Sequence, residues 1–259
     1  MKPTALITGA SRGIGAELAR TFASKNTGLI LVARSEQELN GLKQELERKF
    51  EIPIKVIAKD LTKSENVQAV YDEIKAAGIQ VDYLINNAGF GDFAYFTDTA
   101  WSRHEQMIDL NVSALSHFCH LFVQDWVKRK SGKILNVAST AAFQPGPKMS
   151  VYFASKAYVV SFSQALEFEL RKYGITVTTF CPGPTESNFR EAARMARPNG
   201  LLKNKKPVTS KEVAEAGYRA MMKGKSVVIH GALNRFVATA VRFMPRKMLL
   251  NLAARVVSW

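Results

Sequence analysis

Seven short apolar runs, interleaved with longer segments of helical period, constrain this chain more than any other feature. They are Ala5 to Thr8, Leu29 to Ala33, Lys55 to Ala58, Tyr83 to Asn86, Lys133 to Val137, Ile175 to Cys181 and Ser226 to His230. Most are apolar throughout instead of alternating apolar and polar, which is the pattern of strands covered by helices on both faces. The alternation predicts an α/β fold: a doubly wound, Rossmann-type parallel sheet of seven strands in a single domain. Helix starts at Ser35 to Glu38, Thr62 to Glu65 and Thr209 to Glu212 each set a hydroxyl three residues before a glutamate, so capping boxes are predicted there. No repeat or Pro/Gly/Ser-rich linker divides the 259 residues, and 47% hydrophobic content suffices for one large core.

The first strand runs into Thr8-Gly9-Ala10-Ser11-Arg12-Gly13-Ile14-Gly15 and then a helical segment. Amides at such a helix N-terminus can hold a pyrophosphate. Asn86-Asn87-Ala88-Gly89 closes the fourth strand, Asn111 falls in the following helical segment, and Ser139 closes the fifth strand. All lie at or just beyond carboxyl ends of strands, the side on which open parallel sheets bind ligands. Thirteen residues after Ser139 stands Tyr152, with Lys156 one helical turn beyond it. A phenol titrates near pH 10, so a tyrosine exchanging protons at neutral pH needs a cation nearby, and residues i and i+4 share a helix face. Alone, such a pair reads as helix surface; Ser139 and Asn111 alone read as a strand-end hydroxyl and a helix amide.

Thr-Gly-x-x-x-Gly-x-Gly, Asn-Asn-Ala-Gly, Asn111, Ser139, Tyr152-x-x-x-Lys156 and Pro182-Gly183, taken in order, resemble the short-chain dehydrogenase/reductase family over residues 4 to 231. The resemblance implies a catalytic tetrad of Asn111, Ser139, Tyr152 and Lys156. Tyr152 would give the proton, Ser139 would bond the carbonyl oxygen, Lys156 would lower the tyrosine pKa and grip the nicotinamide ribose, and Asn111 would hold a water. It also implies cofactor contacts at Gly9, Ser11, Arg12, Gly13, Ile14, Gly15, Asp60, Leu61, Asn87, Ala88, Gly89, Tyr152, Lys156, Pro182, Gly183 and Thr185, the last less firmly because Pro-Gly-Pro-Thr is a short spacing for the family. After the second strand an acid would suit NAD and an arginine the 2′-phosphate of NADP; Arg34 stands there, with Arg12 as a second cation, so NADP(H) is expected. The implied activity is NADPH-dependent reduction of a ketone or 3-ketoacyl carbonyl. The alternatives are a non-catalytic NADP-binding regulator or scaffold, against which the complete tetrad argues, and an epimerase or dehydratase of the extended branch, whose glycine spacing and larger C-terminal domain are not found. A homodimer or homotetramer is implied as well.

The formal charge of +14 is concentrated toward the C-terminus. Residues 185–207 occupy the place of a substrate lid and carry Arg190, Arg194, Arg197, Lys203, Lys205 and Lys206; an anionic acyl carrier would suit them, as would plain solvent. Phe90, Phe93, Tyr95, Phe96, Phe143 and Phe153 lie around the motif loops, as an apolar pocket or as core. After residue 231 a basic, apolar extension, not an independent domain, runs to Trp259 with Arg235, Arg242, Arg246, Lys247 and Arg255 and no acid. It is expected to pack on its own domain or a sister subunit, or to lie on anionic lipid; Pro245 and the lack of any uncharged run near the roughly 18 residues a span requires exclude a membrane span, and nucleic acid is not expected. Met1 to Thr8 leads directly into the first strand, so no leader is expected. Cys119 and Cys181 form no CxxC pair and His117 and His120 lack a carboxylate partner, so neither a disulfide framework nor a metal site is expected, and the setting is cytoplasmic with membrane association left open.

Overall fold

β1 (Thr4–Thr8), β2 (Gly28–Ala33), β3 (Ile54–Ala58), β4 (Tyr83–Asn86), β5 (Gly132–Val137), β6 (Ile175–Cys181) and β7 (Val227–Ile229) pair in parallel in the order β3-β2-β1-β4-β5-β6-β7. The computed structural model describes residues 2–186, 189, 193 and 208–257, the side chains of 255–257 excepted. All seven predicted runs become strands of one sheet. Of the three predicted capping boxes one forms in full, Thr209 with Glu212, and one in half, the Ser35 hydroxyl accepting from the Glu38 amide without a reciprocal bond. The third fails, because the Thr62 hydroxyl donates to Asp60 Oδ1 at 3.0 Å and the helix begins at Ser64 without a side-chain cap.

Helices cover both faces, which explains the unbroken apolar strands. α1 (Gly13–Ala23), α2 (Glu36–Glu47) and α7 (Ser210–Met222) bury Leu18, Phe22, Leu39, Leu46, Val213 and Met221 on one face. α3 (Ser64–Ala76), α5 (Leu115–Arg129) and α6 (Ser150–Leu170) bury Val70, Phe118, Phe122, Trp126 and Val159 on the other. At about 25 cal/mol per Å² of apolar surface removed from water, these two layers are the main stabilising term. Within the second layer Asn86 donates to Asn136 Oδ1 at 2.9 Å and Asn136 to Ser163 Oγ at 2.9 Å, which ties β4, β5 and α6 together through buried side-chain hydrogen bonds.

Strand order reverses between β1 and β4, the switch point at which such sheets open a crevice. Beyond β6, Thr185–Glu186 and Val208–Thr209 form a short parallel pair. Apart from Phe189 and Ala193, the predicted lid between them, with its six cations, lies outside the described residues. The chain ends in α8 (Ala232–Ala240) and α9 (Arg246–Val257). The Arg242 guanidinium lies 5.9 Å from the centroid of Phe143, so the extension packs on its own chain beside the turn after β5.

Candidate active site

The nucleotide side of the crevice is built from backbone in close contact. Gly9 takes φ 65°, and a Cβ there would come within 2.8 Å of Ala88 Cα. At Gly15 a Cβ would stand 2.1 Å from the Gly9 carbonyl oxygen, so no side chain fits without displacing the turn. Asn87 holds the two loops together, donating through Nδ2 to the carbonyls of Thr8 at 3.0 Å and Gly9 at 3.1 Å. The Thr8 hydroxyl accepts from the amides of Asn87 and Ala88, both at 3.0 Å. Gly13 opens α1 with φ 54°, and no side chain caps that helix, whose first-turn amides therefore point into the crevice. A glycine cradle with an uncapped helix end fits the pyrophosphate of a nicotinamide dinucleotide.

The expected outer contacts take different positions. Ile14 packs into the first core layer. Ser11 and Arg12 both bond Glu38 of α2, so Arg12 forms an ion pair across the turn and pulls the Glu38 carboxyl below its usual range. Arg34 is exposed at the end of β2. Asp60 closes a turn by accepting from the Thr62 amide at 3.1 Å, beside buried Leu61. Pro182 accepts from the Thr140 amide at 2.9 Å, while Gly183 presses on Asn234 of α8, 2.3 Å from where its Cβ would lie. Thr185 turns its hydroxyl back to the Gly183 carbonyl at 2.9 Å.

The tetrad residues gather where β4 and β5 end. Asn111 sits in a π-helical stretch, Asp109–Ala114, the kind of irregularity that often re-aims a functional side chain. Its Oδ1 accepts from the Phe90 amide at 3.1 Å, and its Nδ2 donates to the Phe90 carbonyl at 2.9 Å and to Ser155 Oγ at 3.0 Å. The Ser155 hydroxyl in turn donates to the Tyr152 carbonyl at 2.7 Å. Asn111 therefore locks the loop after Gly89 to the helix that carries Tyr152. Ser139 caps a 3-10 turn, accepting from the Ala141 amide at 3.1 Å, and its side chain also hydrogen-bonds Tyr152.

Tyr152 and Lys156 are both buried. Burial pushes the Tyr152 phenol up to about 12, with the Ser139 hydrogen bond acting in the opposite direction. Burial likewise pulls the Lys156 ammonium down to about 8, while nearby Cys181 favours its charged form. Lys156 Nζ stands 5.9 Å from the Tyr152 ring centroid and donates to the Val137 carbonyl at 2.9 Å, and burial is the largest influence on the phenol. A protonated Tyr152 is the form that donates.

On the other side, Phe90, Phe93, Met107, Met149, Phe153 and Phe189 wrap the tyrosine in an apolar wall. Phe189 lies 5.2 Å from the Tyr152 ring, and Ala193 accepts from the Phe93 amide at 2.8 Å. Phe90, Phe93 and Phe153 thus line the site, while Tyr95 and Phe96 are exposed. Sequence reasoning missed Ser155, although it stands inside the Tyr-x-x-x-Lys turn; its neighbour Lys156 drew the attention. Phe189, Met107 and Met149 carry no local signal at all, because only folding brings them together.

The crevice, the glycine cradle and the gathered Asn, Ser, Tyr and Lys have the form expected of a nucleotide-dependent dehydrogenase, and the chain belongs to the short-chain dehydrogenase family, whose model matches residues 3–198. It is an oxidoreductase of that family. It is 34% identical to sulfoacetaldehyde reductase 2 of Chromohalobacter salexigens, covering 83% of this chain and 86% of that one. It is 30% identical to the very-long-chain 3-oxoacyl-CoA reductase of Bos taurus, over 85% of this chain and 67% of that one. A short-chain dehydrogenase from Sphingobium yanoikuyae, solved in complex with NADPH, superposes with a TM-score of 0.83 at 30% identity, covering 93% of each chain. Among the described residues no helix is long and apolar enough to cross a membrane, and no group of His, Cys, Asp or Glu side chains could hold a metal ion.

Proposed function

We propose that the protein reduces a ketone or 3-ketoacyl carbonyl to an alcohol with NADPH. The observation that carries this reading is the buried Tyr152, set with Ser139 between the glycine cradle and the apolar wall, where burial favours the neutral phenol. The bound cofactor supplies the hydride. Ser139 and Tyr152 polarise the carbonyl oxygen, and the phenol gives its proton as negative charge develops there. Lys156, brought near neutrality by burial, is suited to return a proton to the phenolate and to hold the nicotinamide ribose. Asn111 fixes the loop after Gly89, and Gly9 to Gly15, Asn87 to Gly89, Asp60, Leu61, Pro182, Gly183 and Thr185 hold the remainder of the cofactor. Arg34, exposed at the rim, receives the 2′-phosphate.

Tyr152→Phe tests the assignment: turnover of ketones falls by about 10²- to 10⁴-fold while NADPH still binds by fluorescence titration. Retained turnover defeats the reading. The Sphingobium structure with NADPH supports the cofactor, and the reductase relatives support the direction. The free, buried Cys119 and Cys181 accord with a reducing, cytoplasmic setting. By family resemblance the protein is proposed to act as a homodimer or homotetramer, which light scattering would determine. Exposed Leu233, Phe236, Phe243 and Met248, beside Arg235, Arg242, Arg246 and Lys247 with no acid among them, support a peripheral contact with anionic membrane.

A further inference from the structure

One buried titratable side chain outside the tetrad has no bond that accounts for its burial. His104 on α4 (Trp101–Ile108) is 6% exposed, and among the described residues neither ring nitrogen has a hydrogen-bond partner. A buried polar group left unsatisfied costs about 1–3 kcal/mol. The Phe96 ring lies flat against the imidazole, with centroids 4.6 Å apart and planes 10° from parallel, and is itself exposed. His104 lines a small pocket with Asp92, Thr99, Lys148, Met149 and Tyr152.

Lys148 adds a second, independent anomaly. It holds the left-handed backbone conformation, φ 64°, which costs a non-glycine residue on the order of 1 kcal/mol and collects at functional sites. Its ammonium stands 5.5 Å from the Phe93 centroid and 4.9 Å from that of Tyr95, and among the described residues no carboxylate forms an ion pair with it. Asp92 does not neutralise it, since its carboxylate faces Arg103 at 3.7 Å. The pocket beside Tyr152 therefore offers a cation and an imidazole whose hydrogen-bonding capacity is unspent.

Resting on the carbonyl-reductase reading, we propose that this pocket is a second anchor for substrate. His104 donates a hydrogen bond, and Lys148 lends positive charge, to an acceptor oxygen carried beyond the reacting carbonyl. The substrates favoured are oxo acids over plain ketones. An acceptor satisfies the imidazole only when substrate is bound, and a ketone without one leaves it unpaired; sites built this way discriminate far better than apolar pockets do.

The test compares 2-octanone with 4-oxooctanoate and 7-oxooctanoate in the wild type, His104→Phe, His104→Gln and Lys148→Met. The wild type prefers at least one oxo acid in kcat/KM. His104→Phe lowers that preference about tenfold or more, mainly through KM, as the loss of one buried hydrogen bond requires; Gln, which can still donate, restores part of it, and Lys148→Met lowers it as well. An unchanged preference in His104→Phe and His104→Gln overturns the anchor. Thermal midpoints with NADPH and each compound separate the two ideas. Stabilisation by an oxo acid that depends on His104, without turnover, retains the anchor and defeats the reductase reading. No His104-dependent stabilisation by either oxo acid defeats the anchor.

Discussion

The glycine-rich end of the crevice and the C-terminal extension of the chain solve opposite problems. Between Thr8 and Gly15, and again between Asn86 and Gly89, the surfaces that meet are peptide groups, packed so closely that a methyl group would collide. From Gly231 onward the chain forms short helices that seat Ala238, Val241, Leu249 and Ala253 inward and leave Phe236 70% and Phe243 85% exposed. The first region specifies its ligand through backbone shape, which tolerates almost no substitution. The second displays side chains that could change singly with little effect on the fold. Close backbone contact makes a region both rigid and legible; outward-facing side chains make it adaptable.

This contrast can be broken by experiment. The largest expected effect is at Gly15→Ala, where the new Cβ must displace the Gly9 carbonyl or Asn87. Overpacking of this kind costs about 1–3 kcal/mol, so Tm falls by several degrees and NADPH titration weakens more than tenfold. Unchanged Tm and affinity would show that the cradle is more pliant than its contacts imply. At the rim of the same region, Arg34→Glu weakens NADPH by about 10- to 100-fold, the scale of a charged hydrogen bond, and NADH by much less. An equal change in both dissociation constants would remove Arg34 from the 2′-phosphate.

The floor between the two regions has its own signature in pH. Lys156 titrates near 8 in the fold and near 10.5 when unfolded, so across that window the unfolded chain binds more protons. Stability attributable to this group is therefore lowest below pH 8 and rises toward 10.5, by on the order of 1 kcal/mol per pH unit. Buried Cys119 and Cys181, pushed up to about 12, oppose it above their ordinary range near 9, because there the unfolded chain loses protons first. Urea midpoints of the wild type minus those of Lys156→Met isolate the lysine; a difference that stays flat from pH 8 to 10 contradicts its burial. The smallest effect on the fold is expected at Phe243→Asp, within about ±0.5 kcal/mol. The same change reduces co-sedimentation with phosphatidylglycerol vesicles, and no loss, or equal binding to neutral vesicles, would end the membrane proposal.

Much of the fold was legible because both-face burial leaves a one-dimensional trace. β1, β2 and β4 are nearly pure apolar runs, and all seven strands were found within a residue or so of their ends. The Thr62 cap was misread because Asp60 competes for the same hydroxyl through a turn, a choice that local spacing cannot settle. The positions of the site were legible for a related reason: glycines with positive φ, strand-end polar groups and an i,i+4 pair are local constraints. The electrostatics of the site were not. That Lys156 would bond Val137 depends on β5 and α6 meeting at a particular height.

By itself, then, the chain determined the seven strands of a doubly wound sheet, the glycine cradle and the four polar groups near the strand ends, because each rests on periodicity, spacing or backbone conformation within a few residues. Tertiary structure alone decided which side chains wall the tyrosine, that Asn111 spends its carboxamide on Phe90 and Ser155, that Arg12 turns to Glu38, and that His104 is buried without a hydrogen-bond partner among the described residues. Those outcomes arise from side chains far apart in sequence sharing one low-dielectric space, where burial and the nearest dipole, not the neighbour in the chain, set charge and contact.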